Sequence, residues 1–309
     1  MNIQSLTISY PPLRHIGSEI YTHRLNVALS AVHGVRATTH SVKNNPGFEG
    51  VRVSPFGWSE TDWADLYLCH TDFAGPVLGL GRPVVGICHN TESAVLVSVH
   101  VNRFDLVVCN SDHMRETLAA RDAQNYMVVH PPAPPVGEMS TGDRVTVVNL
   151  NENKVGQFWD IARALPEQRF LAVLGGYEEQ IVPAEVPVNV EVIGHVPQSE
   201  MWERVWSRTR LLLAPSARES WNMTAGEALA HGIRTVSTDL PGVRENLGDT
   251  ATYLDRDDLE AWVCAVTDSL RPDVYAQARA QFNHDRYTAD LALFVEAVST
   301  LGNSDSQAA

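Results

Sequence analysis

The sequence predicts an α/β protein of two doubly wound, Rossmann-like domains facing a cleft. Three observations carry that expectation. Apolar runs of strand length alternate with helix-length segments along the chain, the pattern of βαβ units around parallel sheets. The alternation is interrupted once, at Pro131-Pro132-Ala133-Pro134-Pro135, a stiff stretch that can continue neither a helix nor a central strand. From Leu211 an apolar run passes into a polar loop, which opens a short helix that stops at Gly232 before another apolar run. In a parallel sheet such a junction lies outside the carboxyl ends of the strands, where ligands bind.

In chain order, Ile3 to Ser9 reads as the first strand and Pro11 to Gly17 as a loop. Ser18 to Val32 reads as a helix with Ser18 as N-cap. Val35 to Ser41, Leu66 to Cys69, Val84 to Cys88 and Leu106 to Cys109 are apolar enough for buried strands. Ser111 to Ala120 is a helix with Ser111 and Asp112 as cap candidates, and Met127 to His130 a short strand. After the prolines come a strand at Val145 to Leu150, a helix at Gln157 to Ala164, and strands at Phe170 to Leu174 and Val190 to Ile193. Ser199 to Ser207 is a helix, Leu211 to Ala214 and Ile233 to Ser237 are strands, and Asp257 with Glu260 forms a capping box for a helix to Leu270. A last helix runs from about Thr288 to Leu301, and Gly302 to Ala309 reads as a disordered tail. The expected division is residues 1–135, residues 136–285, and residues 286–309 as a closing helix plus tail.

Composition narrows the class. The chain has 309 residues, 44% hydrophobic, with 23 Lys plus Arg against 37 Asp plus Glu, a formal charge of −14. That excess of acid disfavours nonspecific binding to nucleic acid or anionic membrane. The four cysteines, Cys69, Cys88, Cys109 and Cys264, form no C-x-x-C pair and read as reduced thiols of a cytoplasmic protein. Cys69-His70 and Cys88-His89 could suggest a metal site, but strand ends carrying a small apolar cysteine explain them. Tyr10, Pro11, Pro12 and Arg14 break up the N-terminal run, so no signal peptide is expected. No stretch approaches ~18 uninterrupted apolar residues, so no transmembrane helix is expected either.

Chemistry concentrates around the strand-loop-helix unit. Glu219 lies on its loop and Glu227 one turn into its helix. The amides of Trp221, Asn222, Met223 and Thr224 fall where a helix begins and can present N–H groups to an anion such as phosphate. Glu227 can accept hydrogen bonds from a vicinal diol such as a ribose, and Glu219 can accept from sugar hydroxyls. The plainer alternative makes Glu219 a solvated loop charge and Glu227 an acid favoured by the helix dipole.

This segment resembles the E-x7-E signature of retaining nucleotide-sugar glycosyltransferases of the GT-B fold, family 4. Pro215-Ser216, Glu219, Trp221, Glu227-Ala228 and Gly232 all fit that run, and Gly242 to Glu245 resembles the family's Gly-x-x-Glu continuation. The similarity extends more weakly over most of the chain. It implies metal-independent transfer, with no cofactor, of a sugar from a nucleotide diphosphate sugar to a hydroxyl-bearing acceptor. That acceptor is a glycan, lipid, small molecule or, with least support, a modified DNA base. The resemblance also implies front-face attack, with the donor phosphate helping to take the acceptor's proton, and an acceptor side in the first domain between Lys43 and Asp65. It assigns Lys154 and Asn149 to the diphosphate, the latter standing about where the family has an arginine. Gly17 matches the second of two family glycines, Ile16 replacing the first. His89 falls near the transferred sugar's primary hydroxyl, and His70 with Asp72 is a further acceptor-side candidate. Gly175 and His195-Val196-Pro197 fall where the family's backbone holds the base. Taken alone, Gly17 could be an ordinary turn glycine, Lys154 a solvated charge and His89 a strand-end histidine bonded to backbone.

Two other motifs are set aside. Gly79-Leu80-Gly81 lacks the third glycine and following helix of a dinucleotide fingerprint. Asp255-Arg256-Asp257 looks like an Asp-x-Asp metal motif but sits at a helix start, where capping explains it. An epimerase on the same architecture, or a noncatalytic nucleotide-sugar-binding protein, remains an alternative.

Overall fold

In the computed structural model the described residues are 1–12, 16–39, 47–55, 63–121, 124–175, 178–268 and 271–304. The chain divides into two compact units, Ala133–Asp285 and the remainder: Met1–Pro132 with the chain from Arg286 onward.

The first unit is a seven-stranded sheet of β1 (Asn2–Thr7), β2 (Gly34–Thr39), β3 (Arg52–Pro55), β4 (Leu66–His70), β5 (Val84–Cys88), β6 (Leu106–Cys109) and β7 (Tyr126–Val128). Its order is β3-β2-β1-β4-β5-β6-β7, and every pairing is parallel. Every residue of β4 and β5 is buried, as central parallel strands covered on both faces require. Alternation within them serves two cores. Tyr67, Cys69, Val84 and Cys88 pack on one face, and Leu66, Leu68, Val85 and Ile87 on the other. Helices α1 (Gly17–Ser30), α2 (Ser93–Val101) and α3 (Asp112–Ala119) complete the first series.

The second unit repeats the plan. Its strands are β8 (Arg144–Val148), β9 (Phe170–Val173), β10 (Val190–Ile193), β11 (Thr209–Ala214), β12 (Arg234–Thr238) and β13 (Ala251–Leu254). The order is β10-β9-β8-β11-β12-β13, again parallel throughout. The helices are α4 (Phe158–Ala164), α5 (Met201–Arg204), α6 (Met223–Ala230), α7 (Pro241–Leu247) and α8 (Leu259–Thr267). Leu211 and Leu213 face one core and Leu212 the other. The last helix, α9 (Val274–Ser304), belongs to the second unit up to Asp285 and to the first from Arg286. Phe294 and Val298 on it are fully buried with Ile3, Leu25 and Leu29.

Several local expectations are corrected. Ser18 does not cap α1: the N-cap is Ile16, without a side-chain bond, and Ser18 donates instead to Glu19 Oε2 at 2.5 Å. Asp258, not Asp257, caps α8 by accepting from Ala261 N at 3.0 Å. Ser199 to Ser207 is not one helix but short 3₁₀ turns around the four residues of α5. The last helix begins fourteen residues before Thr288, and Gly302 to Ser304 belong to it rather than to a tail. The rest of that tail, residues 43–46 and 56–62 of the Lys43–Asp65 stretch and residues 13–15 of the Pro11–Gly17 loop lie outside the described residues. Ser111 does cap α3, accepting from Met114 N at 3.2 Å.

Candidate functional site

Both strand orders reverse direction at one point, between β1 and β4 in the first unit and between β8 and β11 in the second. At such a switch point adjacent strands send their connections to opposite faces, leaving a crevice beyond their carboxyl ends. Most of the sequence-predicted residues fall at the ends of these strands and β5, on the loops leaving them and on the helices those loops open; Gly175 follows β9 and His195-Val196-Pro197 follows β10.

At the second switch point the loop after β8 carries Asn149 and Lys154, and the loop after β11 carries Glu219. Lys154 Nζ lies 3.3 Å from Glu219 Oε2, both side chains part-buried at 21% and 17% exposure. Lys154, Pro215, Ser216, Asn222 and Thr224 line one small pocket above β8 and β11. The two loops meet at Gly156, which has φ +45°. A Cβ there would stand 2.6 Å from the Pro215 ring, so this close approach and backbone conformation both favour glycine.

The start of α6 differs from the expectation in detail. Asn222 is the N-cap, in the left-handed region at φ 67°, and its Oδ1 accepts from Ala225 N at 3.1 Å. The amides offered by the first turn are therefore those of Met223 and Thr224, for which no protein acceptor is found among the described residues. Trp221 is buried at 3% exposure, so its indole is core. Its carbonyl and that of Asn222 both accept from Asn246 Nδ2, at 3.0 and 2.9 Å. Asn246 lies on α7, whose start is pressed against this loop so closely that a Cβ on Gly242 would fall 2.0 Å from Ser220 O.

Glu227 is half-buried on α6. Burial pushes its carboxyl up to about 7, against a hydrogen bond from Gln198 that favours the ion. Gln198 follows His195-Val196-Pro197, so the carboxylate is turned toward that loop. Asn149 is buried in the left-handed region at φ 66°. Its Oδ1 accepts from Gln180 Nε2 at 3.0 Å, while Gln180 Oε1 accepts from Leu150 N and Gly175 N, each at 2.8 Å. Asn149 and Gly175 thus belong to a rigid polar knot that ties the ends of β8 and β9. In the set-aside Asp-x-Asp motif, Asp255 Oδ1 accepts from Asp257 N at 2.9 Å, a local turn.

The first switch point has a different character. Gly17 opens α1 and Glu19, in its first turn, is buried at 6% exposure. The Glu19 carboxylate accepts from the hydroxyls of Ser9 and Ser18. Thr22 Oγ1 and His70 Nε2 are 2.9 Å apart. The rings of His70, at the end of β4, and His89, just after β5, meet edge-on at 4.7 Å. Burial lowers His70 to about 4, and burial together with His70 lowers His89 to about 3, so both imidazoles are neutral at physiological pH. Asp72 lies on the short turn after β4.

Residues 145–271, from β8 to just beyond α8, match the family model of glycosyl transferases group 1. The second unit carries a group 1 glycosyltransferase domain. Its boundaries enclose Asn149, Lys154, Glu219 and Glu227. The whole chain superposes on sucrose-phosphate synthase from Thermosynechococcus elongatus at 14% identity, covering 100% of both chains with a TM-score of 0.74. It also superposes on a glycosyltransferase from Rickettsia africae at 9% identity, 98% of each chain and a TM-score of 0.67. A trehalose-6-phosphate structure from E. coli, bound with UDP-2-fluoro glucose, matches at 11% identity over 98% of this chain and 99% of that one, TM-score 0.67. No curated protein matches the chain. At these identities the superpositions establish the GT-B fold, and the family model marks residues 145–271 as a glycosyltransferase domain. No helix among the described residues is long and apolar enough to cross a membrane.

Proposed function

We propose that the protein is a retaining family 4 glycosyltransferase that moves a sugar from a nucleoside diphosphate sugar to an acceptor hydroxyl without a metal ion. The observation that carries this reading is the Lys154–Glu219 pair at the β8/β11 switch point, beside the first-turn amides of α6. The E. coli structure with the same fold holds UDP-2-fluoro glucose, which supports a donor of that class.

In this reading the second unit binds the donor. Lys154 and the amides of Met223 and Thr224 meet the diphosphate, Glu219 accepts from sugar hydroxyls, and Glu227 accepts from the ribose diol. Asn149 contributes shape rather than charge, since its carboxamide is engaged by Gln180. The first unit takes the acceptor side, with Gly17 at the phosphates and His89 and His70 as neutral partners for hydroxyls. The bond from the anomeric carbon to the phosphate oxygen breaks while a bond to the acceptor oxygen forms on the same face. The acceptor's proton passes to the departing phosphate, and the nucleoside diphosphate leaves. Charge accumulates on that leaving group, so fixed cations and N–H donors around it supply the main stabilisation, a single such donor being worth about 10²–10³-fold in rate.

Thermal-shift screening of UDP-, GDP- and ADP-sugars identifies the donor. With that donor, Lys154→Ala is expected to lower turnover by about 10²–10³-fold, and turnover near wild type would reject the assignment. Glu227→Ala is expected to weaken nucleoside diphosphate binding, read by calorimetry; unchanged affinity removes the ribose role. EDTA is expected to leave turnover unchanged, and its loss would overturn metal independence.

A further inference from the structure

A lysine and a glutamate on separate, part-exposed loops cannot hold each other in register. Their pair is part-buried, at 21% and 17% exposure, but two long side chains can meet from many backbone placements, so the pair alone does not fix the loops. Something else must set the 3.3 Å approach of Lys154 to Glu219.

The residues immediately before each of them supply it. Asn153 precedes Lys154, and Arg218 precedes Glu219. Asn153 Nδ2 donates to Arg218 O at 2.9 Å, and Arg218 N donates to Asn153 Oδ1 at 2.9 Å. One carboxamide thus pairs with both backbone groups of one residue, closing the kind of ring that two peptide units close across a sheet. A third bond runs through the backbone, from Ala217 N to Asn153 O at 2.8 Å. Further back on each loop, at Glu152 and Pro215, Arg256 braces the pair. Its Nε donates to Pro215 O at 3.1 Å and its Nη2 to Glu152 O at 3.4 Å. The guanidinium reaches in from the β13–α8 connection, so a third loop fixes the other two. The donor ends of Lys154 and Glu219 therefore project from a stitched double loop whose last stitch is one residue from each.

We infer that Asn153, braced by Arg256, is a positioning residue that sets the register of Lys154 against Glu219 and thereby the grip on the donor diphosphate. This rests on the donor-site reading above. The chemistry required is narrow: one acceptor and one donor, coplanar, on a short side chain. Asp keeps the acceptor but turns a second oxygen toward Arg218 O; Gln has both groups one methylene too far out. Arg256 acts here through geometry rather than charge, since its Nε and Nη2 donate to carbonyls of the two loops; Lys cannot span both with one fixed fork.

The experiment is a double-mutant cycle read by isothermal titration with UDP, GDP and ADP, using whichever binds the wild-type chain tightest. Asn153→Ala is expected to weaken binding about tenfold in the wild-type background and less than about twofold in the Lys154→Ala background, because the register matters only while Lys154 is there. Arg256→Lys is expected to lose as much affinity as Arg256→Ala, and serves as the second variant should Asn153→Ala fold poorly. Wild-type affinity in Asn153→Ala, the same factor in both backgrounds, or full rescue by Arg256→Lys overturns the inference. Lys154→Ala binding as tightly as wild type, or no binding of any of the three by the wild-type chain, instead overturns the donor-site reading and this one with it.

Discussion

The two sheets share one plan and differ in what they place at the point where it reverses. Beyond β8 and β11 stand Lys154, Glu219 and Glu227, an ion pair and a carboxyl pushed up to about 7. Beyond β1, β4 and β5 stand two histidines stripped of charge by burial and a carboxylate held by hydroxyls. Topology fixes where a site can be, and burial decides what charge it carries. At the second site the Lys154–Glu219 pair lies on loops within reach of a diphosphate. A buried strand end leaves His70 and His89 as neutral donors and acceptors, suited to hydroxyls.

The comparison is broken most directly by removing charge from the charged side. Lys154→Gln keeps a polar side chain but no cation, and is expected to lower turnover by about 10²-fold or more. It should also flatten the salt dependence of nucleoside diphosphate binding, since a part-exposed charge is screened by salt. A titration at low and high ionic strength checks both, and an unaltered salt slope would show that the loop's charge is not what the anion meets.

Much of this was readable from the chain. Alternating apolar runs were enough for the fold class and for β10, whose bounds Val190–Ile193 agree with the expectation. Glu219 and Glu227 stood out by spacing. What the sequence hid has physical reasons. The α2 segment is a run of valines with no helical period, and α7 is seven residues long, too short to show one. Strands β3 and β13 are four residues each, β3 with exposed ends and β13 with no fully buried position, so no long apolar run marks them. Asn153, Arg256 and Asn246 bond to backbone carbonyls and amides on other loops. Backbone groups are identical at every residue, so no side-chain pattern announces such contacts. The left-handed backbone of Asn149 and Asn222 is likewise a property of the folded loop. It is one that asparagine tolerates better than most residues.

Glu227 sharpens the comparison through pH. Its folded value, about 7, is raised above the ordinary 4.5, so the folded protein holds that proton more tightly than the unfolded chain. The resulting stability is complete below pH 4.5 and is lost as pH rises through 7. Glu227→Gln removes the cost of the buried ion and is expected to gain up to about 3 kcal/mol at pH 8, and nothing below pH 4.5. Urea denaturation at the two pH values checks this. The same variant should bind nucleoside diphosphate more weakly, since a carboxylate accepts from a diol more strongly than an amide oxygen. A variant neither more stable at pH 8 nor weaker in binding would show that the carboxyl is ordinary and unused.

The first site leans the other way, and by less. His89 and His70 are lowered to about 3 and about 4, from an ordinary 6.5. Between pH 6.5 and the folded values the unfolded chain takes up protons that the folded protein refuses. Their contribution is therefore present above pH 6.5 and drains away as pH falls. At pH 5, above both folded values, the loss is about 2 kcal/mol for each histidine. His89→Gln abolishes one of these terms, so its stability should fall less than the wild type's between pH 7 and pH 5, while its transfer rate at pH 7.5 falls less than about tenfold, one neutral hydrogen-bonding group replacing another. Acid sensitivity equal to wild type would mean that the imidazole is already charged in the folded chain. A loss as deep as that of Lys154→Gln would mean that it moves a proton rather than accepting a hydroxyl's hydrogen bond. Either result would erase the contrast between the two sheets, since the first site would then work through charge as the second does.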